Sequence, residues 1–277
     1  MSLTGPGFRR HCLLLAAGAL GAFGCTDMPV NQAAAFLPAD SVDWLHPGDL
    51  VLGFRHRGET RAYPIPALAP IEVLNDTVDG EPVVVTWCPL SATGAVFSGR
   101  VRGQPLRFRF HPDLYHMNLL FEDAESQSTW SQLASRAVDG PEEGTGLVLL
   151  PAVQTTWSEW RRTHPGTTVL RPDWGTDAFS YRTSREEPPA GSRSERELVL
   201  VVLLGDESRA YPFKELSDTP GPIPDALAGT PLLVHFAAEG PTAFATDANG
   251  DPLTTVVVYW KYLEDFFPAI DVWGPGR

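Results

Sequence analysis

Apolar residues in this chain fall in short runs rather than in helical stripes. Residues 50–54, 83–87 and 198–204 are rich in Val and Leu and are bounded by Gly, Pro or Asp, the pattern of strands closed by turns. Gly58-Glu59 and Gly205-Asp206 stand where hairpin turns belong, and Arg102-Gly103 fits a third. Leu106-Arg107-Phe108-Arg109-Phe110 alternates, with three apolar side chains on one face and two arginines on the other. Thr156-Trp157-Ser158-Glu159 has the spacing of a capping box, which predicts a short helix over 157–163 that stops before Pro165. A twin helix is expected over 260–266.

The pattern repeats. Arg61-Ala62-Tyr63-Pro64 recurs as Arg209-Ala210-Tyr211-Pro212, and Asp79-Gly80-Glu81-Pro82-Val83 is echoed by Ala228-Gly229-Thr230-Pro231-Leu232. Trp157, Pro165 and Val169 match Trp260, Pro268 and Val272. The second copy lacks the stretch between Cys88 and Trp157. The expected fold class is α+β, mainly β, built from two diverged repeats of antiparallel-rich sheet with short helices. The repeats span 42–174, enlarged and carrying the candidate site, and 198–277. A Ser-, Arg-, Glu- and Pro-rich linker or long loop joins them over 175–197.

The N-terminus reads as an export signal over 1–24, with Arg9-Arg10 ahead of a short Leu- and Ala-rich segment. Ala22-Phe23-Gly24-Cys25 resembles a lipobox, so Cys25 is the expected site of lipidation and 25–41 a tether. The protein is then expected in the cell envelope, outside the cytoplasm and anchored in a membrane through lipid. Net charge is −13, and the signal carries Arg9 and Arg10 but no acid, so the processed chain is more acidic still and unsuited to nucleic acid. With Cys12 leaving with the signal and Cys25 acylated, Cys88 has no disulfide partner.

Several motifs together resemble the family called domain of unknown function 3179. They are Arg61-Ala62-Tyr63-Pro64, Leu74-Asn75-Asp76-Thr77-Val78-Asp79-Gly80-Glu81-Pro82-Val83, Thr86-Trp87-Cys88-Pro89-Leu90, Leu114-Tyr115, Thr129-Trp130-Ser131-Gln132 and Thr155-Thr156-Trp157-Ser158-Glu159-Trp160. Two departures stand out. Ala69-Pro70-Ile71-Glu72 replaces the family's usual Trp-His-Glu, and Ser91 replaces a usual second cysteine. The resemblance implies an extracytoplasmic protein of unsettled role and supplies no activity.

Cys88 sits at a strand end before Pro89, where a thiol can be a buried small hydrophobe, a soft-metal ligand or a redox group. Ser91 cannot resolve a mixed disulfide, so a two-cysteine cycle within the monomer is excluded. Cys88, His111, His116 and Met117 are donor types that suit a single copper ion, although no His-x-His or Cys-x-x-Cys pair accompanies them. The blander reading makes His111-Pro112-Asp113 a turn. Arg107 and Arg109 could form an anion-binding strip or a solvated face paired with acids. Gln132, polar in apolar surroundings, could orient a ligand or bond the backbone. The tryptophans read as core, and Asn75-Asp76 and 247–251 as turns rather than calcium loops. The leading expectation is a non-catalytic lipoprotein that binds a small ligand or an envelope partner; the alternative is a copper-binding or thiol-dependent redox protein centred on Cys88.

Overall fold

The computed structural model describes residues 34–172, 193–240 and 242–274. The chain runs through β1 (Phe36–Pro38), β2 (Leu50–His56), β3 (Glu59–Pro64), the one-turn helix α1 (Ile65–Leu68), β4 (Val73–Val78), β5 (Glu81–Cys88) and β6 (Thr93–Ser98). A small ribbon of β7 (Arg100–Val101) and β8 (Gln104–Pro105) leads into β9 (Phe108–Tyr115), β10 (Asn118–Asp123), β11 (Thr129–Ser131) and β12 (Arg136–Asp139). Then come β13 (Leu149–Leu150), β14 (Ala152–Thr156), α2 (Trp157–Thr163) and β15 (Thr168–Leu170). The second half holds β16 (Leu198–Leu204), β17 (Glu207–Pro212), α3 (Phe213–Ser217), β18 (Ile223–Leu227), β19 (Thr230–Ala237), β20 (Thr242–Asp247) and β21 (Thr255–Tyr259). It ends in a 3-10 turn over Trp260–Tyr262, α4 (Leu263–Phe266) and β22 (Asp271–Val272).

The protein is mainly β, in several small and mostly antiparallel sheets. Their strand orders are β1-β15-β3-β2-β14, β13-β6-β5-β4, β12-β11-β10-β9, β21-β16-β17-β22 and β18-β19-β20, beside the β7-β8 ribbon. These five sheets make a propeller-like arrangement, which replaces the expected pair of repeat sheets. Short runs cut by Gly and Pro cannot extend into wide sheets, and each small sheet buries its faces on its neighbours.

Pairing register nevertheless corresponds between the halves. β2 pairs with β14 through Leu50–Thr156 and Phe54–Ala152, and β16 with β21 through Leu198–Tyr259 and Val202–Thr255. Arg61 lies beside Thr168 in a parallel pair, as Arg209 lies beside Asp271. Cys88 opposes Thr93, as Ala237 opposes Thr242. The turns agree too: Asp79-Gly80 and Ala228-Gly229 both take two successive positive φ angles, as a tight hairpin requires. Among the described residues, the sheet β9–β12 has no counterpart in the second half. One apolar cluster crosses the molecule, joining Leu52, Tyr63 and Trp87 to Val199, Val256, Tyr259 and Leu263.

The repeated Arg-Ala-Tyr-Pro motif is structural. Tyr63 donates its hydroxyl to Asp76 Oδ2 at 2.7 Å, and Tyr211 donates to Asp225 Oδ2 at 2.7 Å. Burial, with the adjacent carboxylate adding to it, raises both tyrosines far above their ordinary pKa, so they stay protonated donors. Asn75 clamps β4 to β9 through both its side-chain atoms and the backbone of Phe108. Helix α2 matches the expected bounds, but its box is half made: Thr156 Oγ1 accepts from Glu159 N at 3.4 Å, while the Glu159 side chain turns to Arg162.

Two expected boundaries move. Phe36–Pro38, assigned to the tether, forms a strand on β15, because Phe36 packs edge-on to Tyr63 and lies under Arg61. The end of the expected linker is likewise held: Arg193 pairs with Glu197 and Glu215 and lies 4.2 Å from the centre of the Trp260 ring. The signal segment and Cys25 lie outside the described residues, as does most of 175–197. No helix among the described residues is long and apolar enough to cross a membrane.

Candidate functional site

Cys88 is 1% exposed and belongs to an apolar cluster with Val84, Phe97, Leu119 and Trp130, formed where β9–β12 covers the outer face of β5 and β6. Beside it lies a closed polar network. Gln132 Nε2 donates to Thr86 Oγ1 at 2.9 Å and to Thr93 O at 3.1 Å. Asn118 Nδ2 donates to Gln132 Oε1 and to Ser91 Oγ, each at 3.0 Å, while Asn118 Oδ1 accepts from Leu133 N at 3.1 Å. All of these side chains are buried. Gln132 therefore joins the inserted sheet to β5 and β6 rather than facing a ligand. Ser91 is a member of that junction, and its carbonyl accepts from Tyr259 N.

The copper set is not brought together. His116 and Met117 form the tight turn between β9 and β10, both with positive φ, and Met117 is 58% exposed. His116 Nδ1 lies 3.3 Å from Asp265 and its ring packs against Tyr115 and Phe266. His111 accepts from Asp113 N, and His111-Pro112-Asp113 is not a turn but the bulged middle of β9, where Pro112 costs no ladder bond. Among the described residues no three His, Cys, Asp or Glu side chains converge as a metal ion requires. The cationic strip is also neutralised: Arg107 pairs with Glu125 at 3.0 Å, and Arg109 with Glu122.

Sequence reasoning missed a cleft of about 630 Å³ between β2, β14 and α2 on one side and β20 with its following loop on the other. Gly53 allows it to exist. A Cβ there would lie 2.2 Å from Trp160 Cε3, so only glycine lets the indole lie flat against β2. His164 stacks on Trp160 at 3.8 Å between ring centres, and His56 lies parallel to Phe54. Arg55 Nη2 bridges the two walls to Asp251 Oδ1 at 2.7 Å. Thr155, Thr163, Thr246 and Asn249 add hydroxyl and amide groups. Burial lowers the pKa of His164, leaving its imidazole neutral at pH 7. The 247–251 segment is a turn as expected, with Asp247 accepting from Asn249 N and Asp251 N.

A signal for this cleft was present in the internal correspondence. The ends of α2 and α4 match closely: His164 has φ −133° and ψ 66°, and Phe267 has φ −132° and ψ 58°. Extending that match along the chain sets Arg55, His56, Glu159, Thr163 and His164 against Leu203, Leu204, Tyr262, Phe266 and Phe267. Apolar positions of the second half are thus polar in the first.

Glu72 stands where the family's Trp-His-Glu ends. It has φ +57°, is half-buried, and burial raises its carboxyl pKa to about 7. Neither the curated proteins nor the solved structures contain a match to this chain. A family model does match, across residues 26–265 and therefore across all the motifs that carry the resemblance, the inserted sheet and most of the second half. The chain belongs to the family described as "Protein of unknown function (DUF3179)".

Proposed function

We propose that this is an exported lipoprotein, anchored through Cys25 on the outer side of a membrane, that binds a small ligand in the Trp160 cleft without transforming it. The cleft is the observation that carries the reading. At about 630 Å³ it lies within the usual range for small-molecule sites, roughly 300–1,000 Å³, and it combines apolar lining from Leu150, Pro151, Phe244 and Pro252 with a few polar groups. Burial of the Cys88 sulfur supports a non-catalytic role, since a reactive thiol needs access and an electropositive setting.

We read the fold as two copies of a two-sheet unit with β9–β12 inserted into the first, which gives five sheets from one duplication. On this reading the insert occupies one of two related seats and the ligand cleft is the other.

Saturation-transfer NMR with a mixed panel of sugars, carboxylates, nucleotides and fatty acids tests the binding role. At least one class should bind wild-type protein and fail to bind Thr163→Trp, in which an exposed residue at the cleft wall is enlarged. Silence from every class would end the proposal. Acylation is tested separately: radiolabelled palmitate should enter the wild-type protein and not Cys25→Ser.

A further inference from the structure

We infer that the cleft takes a neutral, hydroxyl-rich ligand with an apolar face, the chemistry of a mono- or disaccharide. This rests on the small-ligand reading above and names its substrate class.

The corresponding surface at α4 shows what the same framework does when it receives protein. There Tyr262 donates to Leu90 O and Met117 O at 3.0 and 3.1 Å, Phe266 packs on Tyr115 and His116, and the cavity beside it is lined by Leu133, Ala134 and Ser135 of the insert. That surface is apolar, and the insert packs along part of it, leaving a cavity of about 560 Å³ beside Leu203, Phe266 and Phe267. At α2 the matching positions are Glu159, Thr163 and His164, with Arg55 and His56 on the neighbouring strand. Such groups keep water in the cleft until a ligand with its own hydroxyls replaces it.

Charge narrows the class. The charged groups of the walls are already compensated: Arg55 pairs with Asp251, and Glu159 with Arg162 at 2.6 Å. His164 is neutral, and so is His235, whose Nε2 is 3.1 Å from Thr246 Oγ1 in the adjacent sheet and whose pKa burial also lowers. No excess of either sign remains to select an ion. What remains is an apolar lining of Leu150, Pro151, Phe244 and Pro252, edged by imidazole nitrogens, hydroxyls and an amide, over a floor in which Trp160 and Phe54 are buried. Apolar surface from Phe244 and its aliphatic neighbours for the C–H face of a pyranose, and paired donors and acceptors for its rim, are what a neutral sugar requires.

The test uses the processed protein with glucose, N-acetylglucosamine, cellobiose and maltose as probes, and citrate, a nucleoside monophosphate and dodecanoate as controls. At least one sugar should show saturation transfer, and the controls none. Thr163→Trp and, independently, Asn249→Trp should abolish the sugar signal while keeping the far-UV circular dichroism and cooperative melting of the wild type; both sites are exposed, so one of the two suffices. His164→Ala should weaken binding about tenfold. A control that binds in a Thr163→Trp-sensitive manner while sugars stay silent would overturn the saccharide assignment and leave the cleft reading intact. Sugar binding unaffected by either tryptophan would remove the site, and silence from all probes would overturn both readings.

Discussion

The α2 and α4 surfaces occupy corresponding places beside β14 and β21 and differ in what packs on them. At α4 the inserted sheet β9–β12 packs on Phe266, Tyr262 ties it down from a buried position that raises its pKa to about 12, and a cavity of about 560 Å³ is left beside them. At α2 there is no insert, Gly53 and Trp160 stand where Val201 and Leu263 stand in the other half, and a cleft remains open. The difference teaches that the residues that look reactive on the covered side are cement. The residues able to meet a ligand lie on the side the insert leaves free.

The sharpest way to break this comparison is to remove the cement. Gln132→Leu orphans Asn118, Thr86 and the Thr93 carbonyl in a dry junction, and should cost about 3 kcal/mol or more by denaturant titration. A loss below about 1 kcal/mol would mean that water reaches the junction and that it is a site after all. On the open side, Gly53→Val forces the indole off β2 and should cost about 1–3 kcal/mol while abolishing ligand binding. An unchanged cleft in that variant would contradict the role given to Gly53.

Cys88→Ala should cost only about 1 kcal/mol, as expected for a small buried hydrophobe. In the same account the native thiol should resist dithionitrobenzoate until denaturant is added; rapid native labelling would reopen the redox reading. Glu72 gives a pH test. Its folded pKa lies above the unfolded value, so the folded state binds the extra proton, and stability present at low pH is lost as pH rises towards about 7. Glu72→Gln should therefore raise the melting temperature at pH 8 and change little at pH 5. Arg107→Ala and Arg109→Ala should shift stability least, within about 0.5 kcal/mol for the more exposed Arg107.

Much of the frame was legible because it is local. Residues 157–163 announce their helix through Thr156 and Pro165, and the short Val-rich runs announce strands through the turns that bound them. The correspondence of Tyr63 with Tyr211 could also be read. Sheet number could not, since it depends on which strand edges meet, and nothing in residues 83–88 says that their outer face will be covered by β9–β12. The donor set at Cys88 misled for the same reason. Met117 is exposed at the β9–β10 turn, and the His116 ring packs on Phe266 of α4, a neighbour that no local pattern announces. The cleft was hidden because its walls come from residues 53–56, 151–164 and 244–252, which no single motif contains.

Amide hydrogen exchange with and without a saturating sugar tests the division of labour between the two seats most directly. Protection should rise at the end of β2, along α2 and in residues 247–252, and stay unchanged through residues 86–94 and 130–133. Protection gained around Cys88 and Gln132, with none at α2, would contradict the account.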